Sequence, residues 1–302
     1  MQGHLFARSA LVLLLTAIAL GAQAKEVTLE HKGGALNANL ELAANKKISD
    51  GVVLITHGTL AHRGMQVIGD LQNHLRERGY NSLAITLGLG ISNRQGMYDC
   101  KATHRHRHGD AADEIGTWTG WLKGQGATRV ALLGHSRGGA QTALYAAEQD
   151  NALVKAVVLL APAMADDNPD AGYQKRYKKP LAPVLAKAQK LVKDGKGDTV
   201  LEHTDFLYCP DTSVTAEAFA SYYSPDPRLD TIALIPKISK PVLVVEAGRD
   251  EIVIGLGKKV APLADGKRVQ LKNIDDADHF FRDLSAEEAA DAIGAFLKGV
   301  GY

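Results

Sequence analysis

The chain has 302 residues, of which 45% are hydrophobic, and this is enough to bury the core of one large domain. It contains 35 lysines and arginines against 34 aspartates and glutamates. This near-neutral balance argues against a nucleic-acid-binding protein.

The first 24 residues have the pattern of a secretory signal peptide. Arg8 supplies a positive charge, residues 11–20 form an apolar run, and Ala22-Gln23-Ala24 is typical of a cleavage site. The run is short for a membrane span, and no cysteine follows the cleavage site to carry a lipid. We therefore expect a signal peptide over residues 1–24, a periplasmic or secreted mature protein and no stable membrane anchor. An uncleaved anchor is the alternative.

Strands and helices are predicted to alternate along most of the remaining chain. Residues 27–29 and 36–42 flank Gly33-Gly34 and predict an edge hairpin. Apolar runs predict further strands at 51–56, 82–87, 129–133, 155–160, 241–246 and 268–271. Helical spacing predicts helices at 65–78, 110–123, 137–148, 252–263 and 286–297. This order indicates an α/β fold with a mostly parallel, doubly wound sheet of about eight strands.

The alternation is interrupted between residues 163 and 235. This segment contains Lys/Tyr-rich and acidic stretches, several prolines and one helical pattern near 183–192. We expect residues 25–162 and 236–302 to form the core and residues 163–235 to form a helical or irregular cap inserted into it.

Cys100 and Cys209 are the two cysteines of the chain. In an exported protein they are expected to form a disulfide, which would close a long loop. Two separate buried thiols are the alternative.

Polar residues follow several of the predicted strands. In a parallel sheet the functional groups lie beyond the carboxyl ends of the strands. Ser136, Asp250 and His279 each follow a different predicted strand, in that order along the chain. Small residues lie two positions before and two positions after Ser136 in the sequence Gly134-His135-Ser136-Arg137-Gly138, which joins a predicted strand to a predicted helix.

This pattern resembles the α/β-hydrolase family over nearly all of the mature sequence. Gly134 to Gly138, with His135 within it, matches the G-x-S-x-G nucleophile elbow of that family, and the order Ser, Asp, His is also that of the family. The resemblance implies that Ser136 is a nucleophile, that His279 is its base and that Asp250 orients His279. It also implies an oxyanion hole formed by the backbone N–H of Arg137 and that of Thr59 or Leu60.

The chemistry of these residue types agrees with the resemblance. A serine hydroxyl is a poor nucleophile until a base takes its proton. An imidazole, with a pKa of about 6.5, can accept that proton and return it to the leaving group. Rival residues remain for both partners of Ser136. They are His57, His62 and His135 for the base, and Asp226, Asp275, Asp276 and Asp278 for the acid.

Two other segments could bind ligands. His104, His106 and His108 alternate along the chain and could hold zinc or copper on one face of a strand. No further ligand spacing supports a metal, so we expect a solvated or pocket-rim cluster and no metal site. The basic run at 173–179 could bind an anion or a membrane surface, but such runs are usually solvated.

The expected function is that of an exported serine hydrolase, most simply a carboxylesterase. It would need no cofactor, would act on a small-molecule ester and would be a monomer or a small homo-oligomer. The alternatives are a peptidase or amidase, a thioesterase, a haloperoxidase-type enzyme in the same pocket, or a non-catalytic binding protein on the same fold.

Overall fold

The computed structural model describes residues 24–302, which include an eight-stranded sheet. The strands of this sheet are β1 (Lys25–His31), β2 (Gly34–Glu41), β3 (Val52–Thr56), β4 (Ser82–Thr86), β5 (Val130–His135), β6 (Val154–Leu160), β9 (Val242–Ala247) and β10 (Val269–Ile274). Their order across the sheet is β1-β2-β4-β3-β5-β6-β9-β10. β2 pairs antiparallel with both of its neighbours, β1 and β4. All other neighbouring strands, from β4 across the sheet to β10, pair in parallel. The predicted mostly parallel α/β sheet is confirmed.

Helices α1 (Gln66–Glu77) and α9 (Leu284–Gly299) cover one face of the sheet, and α2 (Asp110–Gly124) and α3 (Arg137–Glu148) cover the other. The remaining α-helices are α4 (Pro169–Tyr177), α5 (Ala182–Lys193), α6 (Ala216–Tyr223), α7 (Thr231–Leu234) and α8 (Leu256–Val260). In β3, Val52 and Leu54 pack in a cluster with α2 and α3, while Val53 and Ile55 pack in a cluster with α1 and α9. The continuous apolar run of this strand is therefore explained by burial on both faces.

Residues 163–235, here called the insertion, lie between β6 and β9. They contain helices α4 to α7 and a two-stranded antiparallel sheet of β7 (Val200–Phe206) and β8 (Cys209–Thr215). The helix expected near 183–192 is present as α5, but β7, β8 and the other helices were not predicted. The two strands carry charged residues and Pro210, so they lack the apolar alternation that identifies a strand in sequence.

The helix predicted at 252–263 is much shorter in the structure. Asp250 Oδ1 accepts hydrogen bonds from the backbone N–H groups of Ile252 and Val253, which hold this part of the segment in a loop. Gly255 then has φ 76°, and α8 begins at the next residue. The hydrogen bonds to the Asp250 side chain and the left-handed backbone of Gly255 thus prevent the first turn of the predicted helix from forming.

Cys100 and Cys209 form the expected disulfide, with their Cα atoms 5.3 Å apart. The bridge joins the segment after β4 to the first residue of β8. Next to it, the hydroxyl of Thr212 donates a hydrogen bond to the carbonyl oxygen of Cys100 over 2.5 Å. The insertion is therefore attached to the core covalently as well as by packing.

The signal peptide expected at 1–24 lies outside the described residues, apart from its final residue. Within residues 24–302, no helix combines the length and apolar character needed to cross a bilayer.

Candidate active site

Ser136 occupies a sharp turn between β5 and α3, with φ 56° and ψ −126°. These are unfavourable backbone angles for a residue with a side chain, and they persist only where the surroundings enforce them. A Cβ on Gly134 would collide with the carbonyl oxygen of Gly138, and a Cβ on Gly138 would collide with that of His57. Both glycines are therefore required by close backbone approach, and they allow the strand to turn directly into the helix.

A continuous hydrogen-bonded chain joins Ser136, His279 and Asp250. The Ser136 Oγ lies 2.9 Å from His279 Nε2, and His279 Nδ1 lies 2.7 Å from Asp250 Oδ2. The side chains of His279 and Asp250 are only 5% and 3% exposed. A carboxylate can only accept, so Nδ1 carries the proton and Nε2 is left to accept from the serine hydroxyl.

Asp250 is held in its charged form. Burial alone would raise its pKa, but hydrogen bonds from His279 and from the N–H groups of Val253 and Ile252 outweigh burial and hold the pKa below its ordinary value. Both carboxylate oxygens thus have donors, one from the imidazole and the other from the backbone.

The rival acids are engaged elsewhere. Asp226 caps its own short helix by accepting from the N–H of Arg228. The three aspartates next to His279 in sequence contact residues other than the imidazole. These are Asp275 with Asn273, Asp276 with Arg249, and Asp278 with the N–H of Phe280 and with Arg282.

The rival bases are likewise engaged with the backbone. His57 Nδ1 donates to the carbonyl oxygen of Gly58 over 2.8 Å, and its Nε2 accepts from the N–H of Leu87. Burial lowers the pKa of His57 to about 3. His62 accepts from the N–H of Gly64. His135 Nε2 donates to the carbonyl oxygen of His279 over 2.7 Å, so this residue supports the loop that carries His279.

The backbone N–H groups of Thr59, Leu60 and Arg137 lie near Ser136 and have no acceptor among the described residues. The loop carrying the first two lies against the serine, because a Cβ on Gly58 would be 3.2 Å from the Cβ of Ser136. Leu60 has φ 56°, an unfavourable angle for leucine. Unpaired donors held close to a nucleophile can stabilise a developing oxyanion.

His104, His106 and His108 are buried, so the expectation of a solvated cluster is wrong. The alternative of a pocket rim holds for part of the segment, because Arg107 and His108 line a second cavity of about 340 Å³. Burial lowers the pKa of all three, to about 4, 3 and 3, respectively. His104 Nδ1 and His106 Nε2 lie 3.2 Å apart, and His106 Nδ1 lies 2.8 Å from the hydroxyl of Tyr222. Aromatic rings from the insertion, Phe206 and Tyr222, cover them. Residues 24–302 hold no cluster of three or more His, Cys, Asp or Glu side chains suited to a metal ion.

A cleft of about 570 Å³ lies beside the nucleophile elbow. The insertion supplies most of its lining, and the core supplies Arg137, the residue after Ser136. Ser136 and His279 are not among the lining residues, so the cleft is adjacent to the hydrogen-bonded chain rather than centred on it. The basic run at 173–179 contributes Tyr173, Arg176 and Tyr177 to this lining, while its lysines are exposed.

A family model described as the alpha/beta hydrolase family matches residues 52–292. The chain belongs to this family. No curated protein sequence is similar enough to match this α/β hydrolase.

Several solved structures share the fold of this α/β hydrolase. Est1E from Butyrivibrio proteoclasticus is 19% identical, with a TM-score of 0.62 over 91% of this chain and 98% of that one. The Pyrococcus furiosus esterase Pf2001 is 19% identical, with a TM-score of 0.57 over 95% and 96% of the two chains. The Paleococcus ferrophilus monoacylglycerol lipase is 21% identical, with a TM-score of 0.61 over 88% and 99%.

The sequence did not reveal the surroundings of the Arg137 side chain. Its Nε donates to the hydroxyl of Thr59, and its guanidinium lies over the ring of Tyr222 in α6. Tyr222 is far from the elbow in sequence and carries no motif, so no local signal could have identified this contact.

Proposed function

We propose that this protein is a serine hydrolase of carboxylic esters, with Ser136, His279 and Asp250 as its catalytic triad. The hydrogen-bonded chain of these three side chains is the observation that carries the proposal. Its distances and the direction of its proton donors match what nucleophilic catalysis by serine requires.

In the proposed mechanism His279 Nε2 takes the proton of Ser136 as Oγ attacks the ester carbonyl carbon. The new oxyanion accepts from the N–H of Arg137 and from that of Thr59 or Leu60, while Asp250 stabilises the imidazolium. His279 then gives its proton to the leaving alcohol, and an acyl-enzyme remains. Water, activated by His279 in the same way, releases the acid and regenerates Ser136. No step requires a cofactor.

Esters are the proposed substrates for two reasons. An alcohol is an easier leaving group than an amine, so it demands less of His279 as an acid. Proteins of the same fold include the P. furiosus esterase and the P. ferrophilus monoacylglycerol lipase. We also propose that residues 163–235 act as a cap on a core of residues 25–162 and 236–302, and that the cleft in the cap receives part of the substrate.

Export is part of the proposal. The signal-peptide pattern at 1–24 predicts it, and the Cys100–Cys209 bridge suits an oxidising compartment.

A fluorophosphonate probe tests the nucleophile. We expect it to label the folded protein at Ser136, and the Ser136→Ala variant to remain unlabelled and inactive on p-nitrophenyl esters. Ser221→Ala is the matched control, because that hydroxyl donates to the carbonyl oxygen of Ala218 and accepts from the N–H of His108, and it is not part of the chain joining Ser136, His279 and Asp250. Labelling at any other residue, or none on folded protein, contradicts the proposal.

A further inference from the structure

The side chain of Arg137 connects the two parts of the proposed oxyanion hole. Arg137 follows the nucleophile in α3, while Thr59 lies in the loop after β3. The Arg137 Nε donates to the Thr59 hydroxyl over 3.0 Å. Both residues also carry a backbone N–H that lacks an acceptor in the described part of the chain. One hydrogen bond thus joins the two backbone segments that supply the proposed donors.

The insertion holds the other side of this guanidinium. The Cζ of Arg137 lies 5.4 Å from the centre of the Tyr222 ring. Tyr222 is itself buried, and its hydroxyl contacts His106 Nδ1 over 2.8 Å. Burial and this contact hold the Tyr222 ring in place, so the Arg137 guanidinium packs against a fixed aromatic surface.

No ion pair competes for Arg137. Among residues 24–302, no carboxylate lies within salt-bridge distance of its guanidinium, and the Thr59 hydroxyl is its one hydrogen-bond acceptor. The aspartates that line the same cleft have other partners. Asp167 pairs with Lys259, while Asp166, Asp226 and Asp230 accept backbone N–H groups. The side chain is therefore positioned by Thr59 and Tyr222.

We propose that Arg137 is a positioning residue, which acts through Thr59 to hold the loop donor of the oxyanion hole at the right distance from the N–H of Arg137. This inference rests on the proposed esterase function. Donors must lie about 2.7–3.1 Å from the oxyanion, and the loop around Thr59 is outside regular secondary structure. If the hydrogen bond between Arg137 and Thr59 is lost, the loop can move and its N–H stabilises the transition state less well. Substrate binding should change little.

The test compares kcat and KM for p-nitrophenyl butyrate in Arg137→Met, Thr59→Val and Thr59→Ser. The valine variant removes the hydroxyl with little change in shape, whereas the serine variant retains it. We expect kcat to fall about tenfold in the methionine and valine variants, with KM changed less than about threefold. Thr59→Ser should retain most of the wild-type kcat. The affinity for an alkyl boronic acid, which mimics the tetrahedral intermediate, should fall by the same factor as kcat.

A double variant, Arg137→Met with Thr59→Val, separates positioning from general damage. If one bond carries the effect, the double variant should be no slower than the slower single variant. Multiplied losses, an effect on KM alone, or a Thr59→Ser variant as slow as Thr59→Val would each overturn the inference.

A second pair of variants tests the contact between the Arg137 guanidinium and the Tyr222 ring. Tyr222→Phe keeps the ring beneath the guanidinium, and Tyr222→Leu removes it, so we expect the leucine variant to have the lower kcat. Fluorophosphonate labelling of wild-type Ser136 distinguishes the two levels of the proposal. If wild-type Ser136 is not labelled, the proposed esterase function is wrong. If Ser136 is labelled but the variants keep the wild-type kcat, only the positioning role of Arg137 is wrong. Thermal unfolding of each variant confirms that it is folded.

Discussion

The imidazole of His135 donates a hydrogen bond to the backbone carbonyl oxygen of His279 over 2.7 Å. The residue before the proposed nucleophile thus holds the loop that carries the proposed base. Burial lowers the pKa of His135 to about 4, so this imidazole is neutral at neutral pH and has one proton to donate. The elbow therefore positions the base as well as the nucleophile.

His135→Phe should keep an aromatic ring, slightly larger than the imidazole, and remove the donor. The buried carbonyl oxygen of His279 would lose its partner, which we expect to lower the free energy of unfolding by about 1–3 kcal/mol. The kcat should fall as well, since the loop that bears His279 loses its support. Denaturant unfolding and ester hydrolysis measure the two effects. His62→Phe is the control, because His62 contacts its own loop, and equal effects in both variants would contradict this role.

Asp250→Asn tests the orienting role of the carboxylate. The amide keeps the shape of the side chain, but it can leave His279 in the wrong tautomer and cannot stabilise an imidazolium. In a serine protease the equivalent change lowers kcat by about 10⁴, and we expect a loss of that order here. Steady-state kinetics at neutral pH give the result. Asp276→Asn should behave as the wild type does, because Asp276 is exposed and pairs with Arg249. A fully active Asp250→Asn variant would exclude Asp250 as the orienting acid.

Gly134→Ala should destabilise the fold, because the added Cβ collides with the backbone at Gly138. Overpacking of this kind costs about 1–3 kcal/mol, or more where only the backbone could move aside. Gly120→Ala is the matched control, since Gly120 lies in α2 with no atom near the added Cβ. That change should be neutral or stabilising by up to about 1 kcal/mol. Chemical denaturation gives the free energy of unfolding of both variants. If Gly134→Ala is as stable as the wild type, the backbone around Gly134 is less tightly packed than the structure indicates.

The double variant Cys100→Ser, Cys209→Ser tests the contribution of the bridge. The bonded cysteines are 109 residues apart, and the chain-entropy model assigns such a loop about 4–5 kcal/mol of stabilisation. We expect the free energy of unfolding to fall by nearly this amount, and reduction of the wild type to give a similar loss. The serine variant should not respond to reductant. If it unfolds at the same denaturant concentration as the oxidised wild type, the bridge does not stabilise the protein.

The sheet and the candidate site could be predicted because their signals are local. Long apolar runs such as β3 and β5 identify strands buried on both faces, and the functional side chains follow the ends of those runs. Ser136, Asp250 and His279 each follow a predicted strand, the family resemblance favours them over the rival residues, and the structure brings these three side chains together.

The unpredicted features depend on residues that are distant in sequence. The burial of His104, His106 and His108 requires Phe206 and Tyr222, which lie about a hundred positions later in the insertion. β7 and β8 have polar sequences and are held by pairing with one another and by the disulfide. No window of neighbouring residues contains that information.

β6 and β9 are adjacent and parallel in the sheet, although the whole insertion separates them in sequence. The chain leaves the sheet and returns to it at neighbouring positions, so the insertion could be replaced without changing the register of any core strand. If residues 163–235 form the proposed cap, this makes them a natural unit for grafting, by which the substrate range could be redesigned while the eight-stranded sheet is kept. A successful graft would need a cysteine to pair with Cys100, aromatic side chains to cover His104, His106 and His108, and a ring at the place of Tyr222 to support Arg137.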